Sequence, residues 1–151
     1  DKETGKYEIL DLINVAESGT IMHPKGMENQ LVGGAVWGIG LSGYERHLYD
    51  PQNGMPASTG YWQNKVPTYL DTPVKIGTGW VDLPDPENPV GARGVGEPAQ
   101  GSVSAALTAA ITDALDGHIF GASPITADMI INHVAGTSED SVPLAQNNFR
   151  G

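Results

Sequence analysis

Cysteine is absent from the 151-residue sequence, and basic residues are few. The lack of cysteine excludes disulfides, thiolate metal sites, iron–sulfur ligation and a cysteine nucleophile from this chain. Lys and Arg together number 8 against 18 Asp and Glu, which gives a formal net charge of −10. This imbalance argues against nucleic acid and anionic membrane surfaces as partners. No apolar run reaches the ~20 residues needed to span a bilayer, so no membrane span is predicted.

Glycine and proline are abundant instead, with 20 and 11 residues. They are spread along the chain without a period, which excludes collagen and simple low-complexity repeats. The length fits one domain. The charged opening stretch DKETGKYEIL lacks the apolar core of a signal peptide. We therefore expect a cytoplasmic protein, unless a partner carries a signal that directs the complex to the periplasm.

Two strands are predicted from runs of β-forming residues. The first covers residues 7–16 and follows a turn of the form D-x-x-T-G-K, which looks like the middle of a hairpin whose first strand is missing. The alternative is a disordered terminus that leads into a strand. The second strand covers residues 74–81 and precedes the proline-rich loop LPDPENP. The first strand is expected to pair with a strand from outside this chain.

A glycine-rich helix is predicted from Met27 onward, because apolar residues recur at helical spacing up to Leu41. Interior glycines cost about 0.5–1 kcal/mol each relative to alanine, so their number needs a reason. Gly34 and Gly38 would share one face of this helix. Either another helix packs closely on that face, which is the commoner case, or a ligand approaches it.

Two further helices are predicted near the C-terminus. The first carries an i, i+3, i+4 apolar stripe from Val103, with Ser102 as its N-cap and Gly117 as its C′ residue. The second covers residues 127–135, with Thr126 as its cap and Gly136 as its stop signal. Residues 136–151 form a polar tail. The elements together predict an α+β fold that is incomplete on its own.

A single acid, Glu97, lies in the glycine-rich loop GARGVGEPAQGS that precedes these helices. The glycine spacing matches neither a dinucleotide fingerprint nor a P-loop. Glu97 is therefore either an incidental acid in a surface turn or a general base held between Gly96 and Pro98. No metal ligand is expected, because the histidines show no metal-binding spacing; they are His23, His47, His118 and His133.

Four segments, in order, resemble the C-terminal portion of the molybdopterin-binding subunit of the xanthine oxidase and aldehyde oxidoreductase family of molybdenum hydroxylases. They are DKETGKYEILDLINVAESGTIMHP, ENQLVGGAVWGIGLSGYE, YWQNKVPTYLDTPV, and GARGVGEPAQGSVSAALTAAITDALDG with SPITADMI. The resemblance covers residues 1–135, which leaves residues 136–151 as the polar tail. It implies that Glu97 is the active-site base in the hydroxylation of an aldehyde or an N-heterocycle, with water as the oxygen source. It also implies that Gln30, Gly94, Val95 and Gly96 lie against the cofactor.

The resemblance implies a molybdenum–pterin cofactor, expected as molybdopterin cytosine dinucleotide, that is shared with a larger molybdopterin-binding chain. Iron–sulfur clusters and FAD would be carried by partner subunits, since this chain has no cysteine. The other pterin-contacting loops of the family are missing, and Glu17-Ser18-Gly19 stands where many members have Asp-Cys-Gly. The chain is therefore expected to be a small subunit or a fragment that supplies Glu97. The alternative is a non-catalytic structural or assembly subunit of such a complex.

Overall fold

The computed structural model describes residues 1–137, and the elements within it form an α+β arrangement as predicted. The strands are β1 (Leu12–Glu17) and β2 (Ile76–Val81). The helices are α1 (Pro24–Gly43), α2 (Pro98–Ala114) and α3 (Ala127–Ala135), and a short 3₁₀ turn covers Tyr69–Asp71. Most of the polar tail, residues 138–151, lies outside the described residues. No helix in the described range is long and apolar enough to cross a membrane.

The two strands pair with each other in parallel, from Leu12 opposite Ile76 to Glu17 opposite Val81. One edge of β1 is thus paired within the chain, which the sequence did not predict, because the pattern of β-forming residues says where a strand lies and not which strand it meets. The prediction that the first strand pairs with a strand from outside this chain concerns its other edge and stays a prediction. Residues 7–11 were predicted as part of the strand, but they lie before it and pair with no strand in the described chain.

Helices α1 and α2 pack on each other so closely that two glycines of α1 are required. A Cβ atom on Gly34 would lie 2.6 Å from the Cβ of Ala99, and one on Gly38 would lie 2.6 Å from the Gln100 carbonyl oxygen. Both contacts are shorter than Cβ atoms tolerate. Of the two interpretations of this glycine face, close helix packing or the approach of a ligand, the structure shows close helix packing.

The core lies between these helices, α3 and one face of the sheet. Its main cluster has ten buried members: Ala35, Ile39, Val103, Leu107, Ile111, Leu115, Phe120, Ile125, Met129 and Ile130. A buried polar residue, Asn14, joins the sheet to both helices. Its Nδ2 donates to the carbonyl oxygens of Leu31 at 2.9 Å and Ala99 at 3.4 Å. Because β1, α1 and α2 meet at this amide, Asn14 sets the spacing of the layers.

Helix α2 begins five residues earlier than predicted, at Pro98, with Glu97 rather than Ser102 in the N-cap position. Proline is favoured at the first helical position because its fixed φ suits the helix and its missing N–H is not needed there. At the other end the left-handed backbone begins at Asp116, with φ 56°, and continues at Gly117. The predicted bounds of α3 and its stop at Gly136 are confirmed.

Candidate functional site

The glycine loop with Glu97 lies at the carboxyl ends of the two parallel strands. An antiparallel bridge joins Gly19, just after β1, to Ala92 in the loop. Two backbone bonds flank the bridge: the Thr20 N–H donates to the Gly91 carbonyl at 2.7 Å, and the Arg93 N–H donates to the Ser18 carbonyl at 2.8 Å. The loop then leads straight into α2. The carboxyl edge of parallel strands is where ligands of α/β sheets most often bind.

Two glycines make this junction possible. Gly19 and Gly91 have φ of 67° and 70°, in the left-handed region that other residues rarely adopt. A side chain on Gly19 would also overlap the Gly91 carbonyl. The roles of these two glycines were not predicted from the sequence, because the contact between them joins segments about 70 residues apart.

Arg93 fixes the loop from a second direction. Its guanidinium donates to the Asp85 carboxylate at 2.8 Å and pairs with the Glu17 carboxylate at 2.5 Å. The hydrogen bond from Arg93 lowers the pKa of Asp85. Since two acids satisfy this cation, Arg93 holds the loop in place and is not a free positive group for an anion.

Glu97 is exposed in the described part of the chain. Its side chain makes no capping bond to α2. Within residues 1–137 its carboxylate has no hydrogen bond or ion pair. No segment of residues 1–137 covers the outer side of the loop, so only a part of the site outside these residues could bury Glu97.

Gln30 is the predicted site residue that the fold brings beside this loop. It lies exposed on α1, and its Oε1 is the nearest atom to a Cβ built on Gly96, at 3.9 Å. A Cβ on Gly94 would have nothing within 4 Å. Packing within the described chain therefore does not explain either glycine, and room is left beside the backbone at both.

Val95 has a different position from its two neighbours. Its side chain is half-buried and packs against the small apolar cluster of Met27, Leu31 and Ala99. In this chain the valine side chain anchors the loop to α1 and α2. The prediction that its backbone lies against a cofactor stays a prediction.

A cavity of about 280 Å³ lies between the loop and the start of α1, and Gln30, Val95 and Ser18 are among its lining residues. Ser18 is buried, and its hydroxyl has no hydrogen-bond partner in the described part of the chain. This volume is at the lower limit of the ~300–1,000 Å³ of ligand pockets. With the open glycines and an orphan hydroxyl, the residues fit one wall of a larger cofactor site. Ser18 stood out in the sequence only as a departure from Asp-Cys-Gly.

Comparison with known proteins now identifies the fold. Residues 1–73 match the family model described as the molybdopterin cofactor-binding domain. The gamma subunit of the 6-hydroxypseudooxynicotine dehydrogenase complex of Paenarthrobacter nicotinovorans is 32% identical over 92% of this chain. The xanthine dehydrogenase molybdenum-binding subunit of Escherichia coli O157:H7 is 30% identical over 87% of it. The chain is a relative of the molybdenum-binding subunits. The family resemblance seen in the sequence is thus confirmed.

The solved structures agree with this relationship. Quinoline 2-oxidoreductase from Pseudomonas putida 86 superimposes on 89% of this chain with a TM-score of 0.81 and 31% identity. The chain spans 18%, 17% and 17% of the lengths of these three relatives, in the order given. It therefore corresponds to a part of each, and the match supports a molybdenum–pterin cofactor at the level of the domain. The roles predicted for Glu97, Gln30 and the loop glycines stay predictions.

Proposed function

We propose that this chain supplies one wall of a molybdenum hydroxylase active site and that Glu97 is the catalytic base there. The arrangement of the loop carries this proposal. Glu97 has an unpaired, exposed carboxylate on a loop that Arg93 and the end of β1 hold in place. A surface acid without a role would need neither the fixed loop nor the unfilled room beside Gly94 and Gly96.

A molybdenum–pterin cofactor bound at this wall would supply the two-electron oxidation chemistry. Gln30 would offer its amide as donor and acceptor to the polar edge of that cofactor, since its Oε1 lies 3.9 Å from the position of a Cβ on Gly96, beside the loop. The loop glycines would let backbone N–H groups approach closely. Ser18 would find in the assembled site the partner that its hydroxyl lacks within residues 1–137.

Glu97 would accept a proton from the attacking water-derived oxygen and hold it while the substrate carbon is oxidised. Its position suits this task, because its carboxylate is free of other bonds and its backbone is fixed by Pro98 at the first turn of α2. Its present exposure would end when the rest of the site covers the loop. A water-poor surrounding strengthens such proton transfer.

The substrate class that we propose is an aldehyde or an N-heterocycle. Relatives named for their substrates include a nicotine 6-hydroxylase large subunit and an aldehyde oxidoreductase molybdenum-binding subunit. We further propose the cytosine dinucleotide form of the cofactor, a larger molybdopterin-binding chain as partner, and iron–sulfur and flavin groups on separate subunits. The cytoplasmic location stays a prediction, which cell fractionation tests.

The test of the catalytic role is the Glu97→Gln variant of the complex purified from the organism that encodes it. General-base removal is expected to lower kcat by about 10²–10⁴-fold while molybdenum content stays at the wild-type level. Glu87→Gln is the matched control, because Glu87 is an exposed acid of the preceding loop. It should retain full activity. If Glu97→Gln keeps wild-type turnover with a normal molybdenum content, the chain is the structural or assembly subunit instead.

A second variant tests the cofactor contact without using activity. Gly96→Ala should leave the fold unchanged, since a methyl group there meets only the Gln30 Oε1 at 3.9 Å. It should reduce molybdenum and released pterin severalfold, because the methyl group occupies the proposed room for the cofactor. Gly101→Ala is the control, since a Cβ there has nothing within 4 Å and the fold should likewise be unchanged. Equal molybdenum in Gly96→Ala and wild type would contradict the contact.

A further inference from the structure

A groove of about 780 Å³ opens at the amino ends of β1 and β2, at the other end of the sheet from Glu97. The segments that lead into the two strands, residues 7–10 and 67–74, both line it. Val32 and Val36, one helical turn apart on α1, also line it. The groove is therefore a gap between the two strand entries and the first helix.

Large apolar side chains crowd the rim of this groove. Leu10, Tyr69, Leu70 and Val74 are all at least 83% exposed, and all four line the groove. Single exposed apolar residues are ordinary on protein surfaces, but a contiguous group around one concavity marks an interaction site. Contact of such an apolar surface with water is unfavourable, so its burial by another segment would be favourable.

The backbone beside the groove is also unpaired. Residues 7–10 belong to no helix or strand, and within the described range their N–H and C=O groups take part in no hydrogen bond. The Tyr7 hydroxyl is buried and has no partner either. Burial, and then the charge of Asp71, raise the pKa of Tyr7, so this hydroxyl stays a proton donor at neutral pH. An extended peptide in the groove could pair with the free backbone groups of residues 7–10.

We propose that an extended segment of the larger molybdopterin-binding chain fills this groove, pairs with the backbone of residues 7–10 and covers the apolar rim. This rests on the function proposed above, which requires such a partner. The structure of quinoline 2-oxidoreductase supports the choice of occupant. The part that superimposes on this chain, with a TM-score of 0.81, is only 17% of that chain. The fold that contains the groove thus occurs inside a much larger body.

A second copy of the chain fits the groove less well. A two-fold contact would set the same concave surface against itself, which leaves the space unfilled. A convex or extended segment is needed, and the free edge at residues 7–10 favours a strand.

The first experiment uses the double variant Leu10→Lys, Leu70→Lys in the tagged chain. Both side chains are largely exposed, so the effect on the chain's own fold should be small. The larger chain that co-purifies, identified by its molybdopterin-binding sequence, should fall about tenfold or more relative to wild type. Ile119→Lys is the control, since Ile119 is 79% exposed and does not line the groove. Its complex should be unchanged, and wild-type recovery with the double variant would overturn the proposal.

The second experiment places a photo-crosslinking amino acid at Val74 in the intact complex. The expected product joins Val74 to an extended apolar segment of the larger chain. A product that joins two copies of this chain, or no adduct above the level at Ile119, overturns the docking site. Molybdenum analysis of the same complex separates the two proposals. A complex that contains the expected adduct but no molybdenum refutes only the enzymatic function. A complex that contains molybdenum but no adduct refutes only the docking of the larger chain in the groove.

Discussion

Two adjacent glycines of α1 provide a sharp test of the helix packing. A Cβ on Gly34 would lie 2.6 Å from the Ala99 Cβ, whereas a Cβ on Gly33 would have nothing within 4 Å. The Ala99 Cβ is attached directly to the backbone and cannot rotate away. Gly34→Ala must therefore move α1 relative to α2, while Gly33→Ala adds a methyl group that points into open space.

The two substitutions should change stability in opposite directions. Each gains about 0.5–1 kcal/mol from the higher helix propensity of alanine. Gly34→Ala also overpacks the interface, which costs typically 1–3 kcal/mol. Gly33→Ala should therefore stabilise the protein by about 0.5–1 kcal/mol, and Gly34→Ala should destabilise it by about 1–2 kcal/mol. Each kcal/mol shifts the melting temperature by roughly 2–4 °C at this size, so the two melting temperatures should differ by about 3–12 °C.

The assay is a thermal melt followed by far-UV circular dichroism on the purified protein, together with the larger chain where it co-purifies. Wild type should melt between the two variants. If Gly34→Ala melts at or above the wild-type temperature, the close approach of α1 and α2 is refuted, and close packing is no longer the reason for the glycine face. Both variants replace glycine by alanine at adjacent positions of one helix. A difference between their melting temperatures therefore cannot come from composition or local helix propensity.

Three further predictions follow from single contacts. Asn14→Asp removes the amide donor between both helices and sets an acid against two carbonyl oxygens. The free energy of unfolding measured in urea should therefore fall by about 2–4 kcal/mol. An unchanged urea midpoint would refute the role of Asn14. Burial acts to raise the pKa of Asp71, but hydrogen bonds from Lys65 and Thr68 lower it to about 2. The contribution of Asp71 to the free energy of unfolding is therefore present above about pH 4 and should fall by roughly 1–2 kcal/mol as the pH drops towards 2. In acid titrations the Asp71→Asn variant should lack this part of the fall. Arg93→Gln should loosen the glycine loop and increase its proteolysis without changing the α-helix content; unchanged cleavage would contradict the anchoring role.

The amino-acid sequence by itself determined the local structure of this protein. Apolar spacing predicted α1 and α3, and β-forming runs predicted both strands to within a few residues. These features depend on neighbours a few positions apart, so one chain segment is enough to show them. The order of the glycine helix and the GVGE loop in the sequence was also enough to indicate the family.

The tertiary structure decided which segments meet. It paired β1 with β2 inside the chain, placed α2 against Gly34 and Gly38, and brought Gln30 beside the Glu97 loop. The role of Asn14 was missed because one polar residue in a strand pattern does not say which carbonyl groups lie opposite it. Sequence patterns could not decide between a surface acid and a buried base at Glu97 for the same reason, since burial depends on surfaces that are far away in sequence or on another chain. Short-range sequence patterns set the elements, and only long-range contacts decide the site that they form.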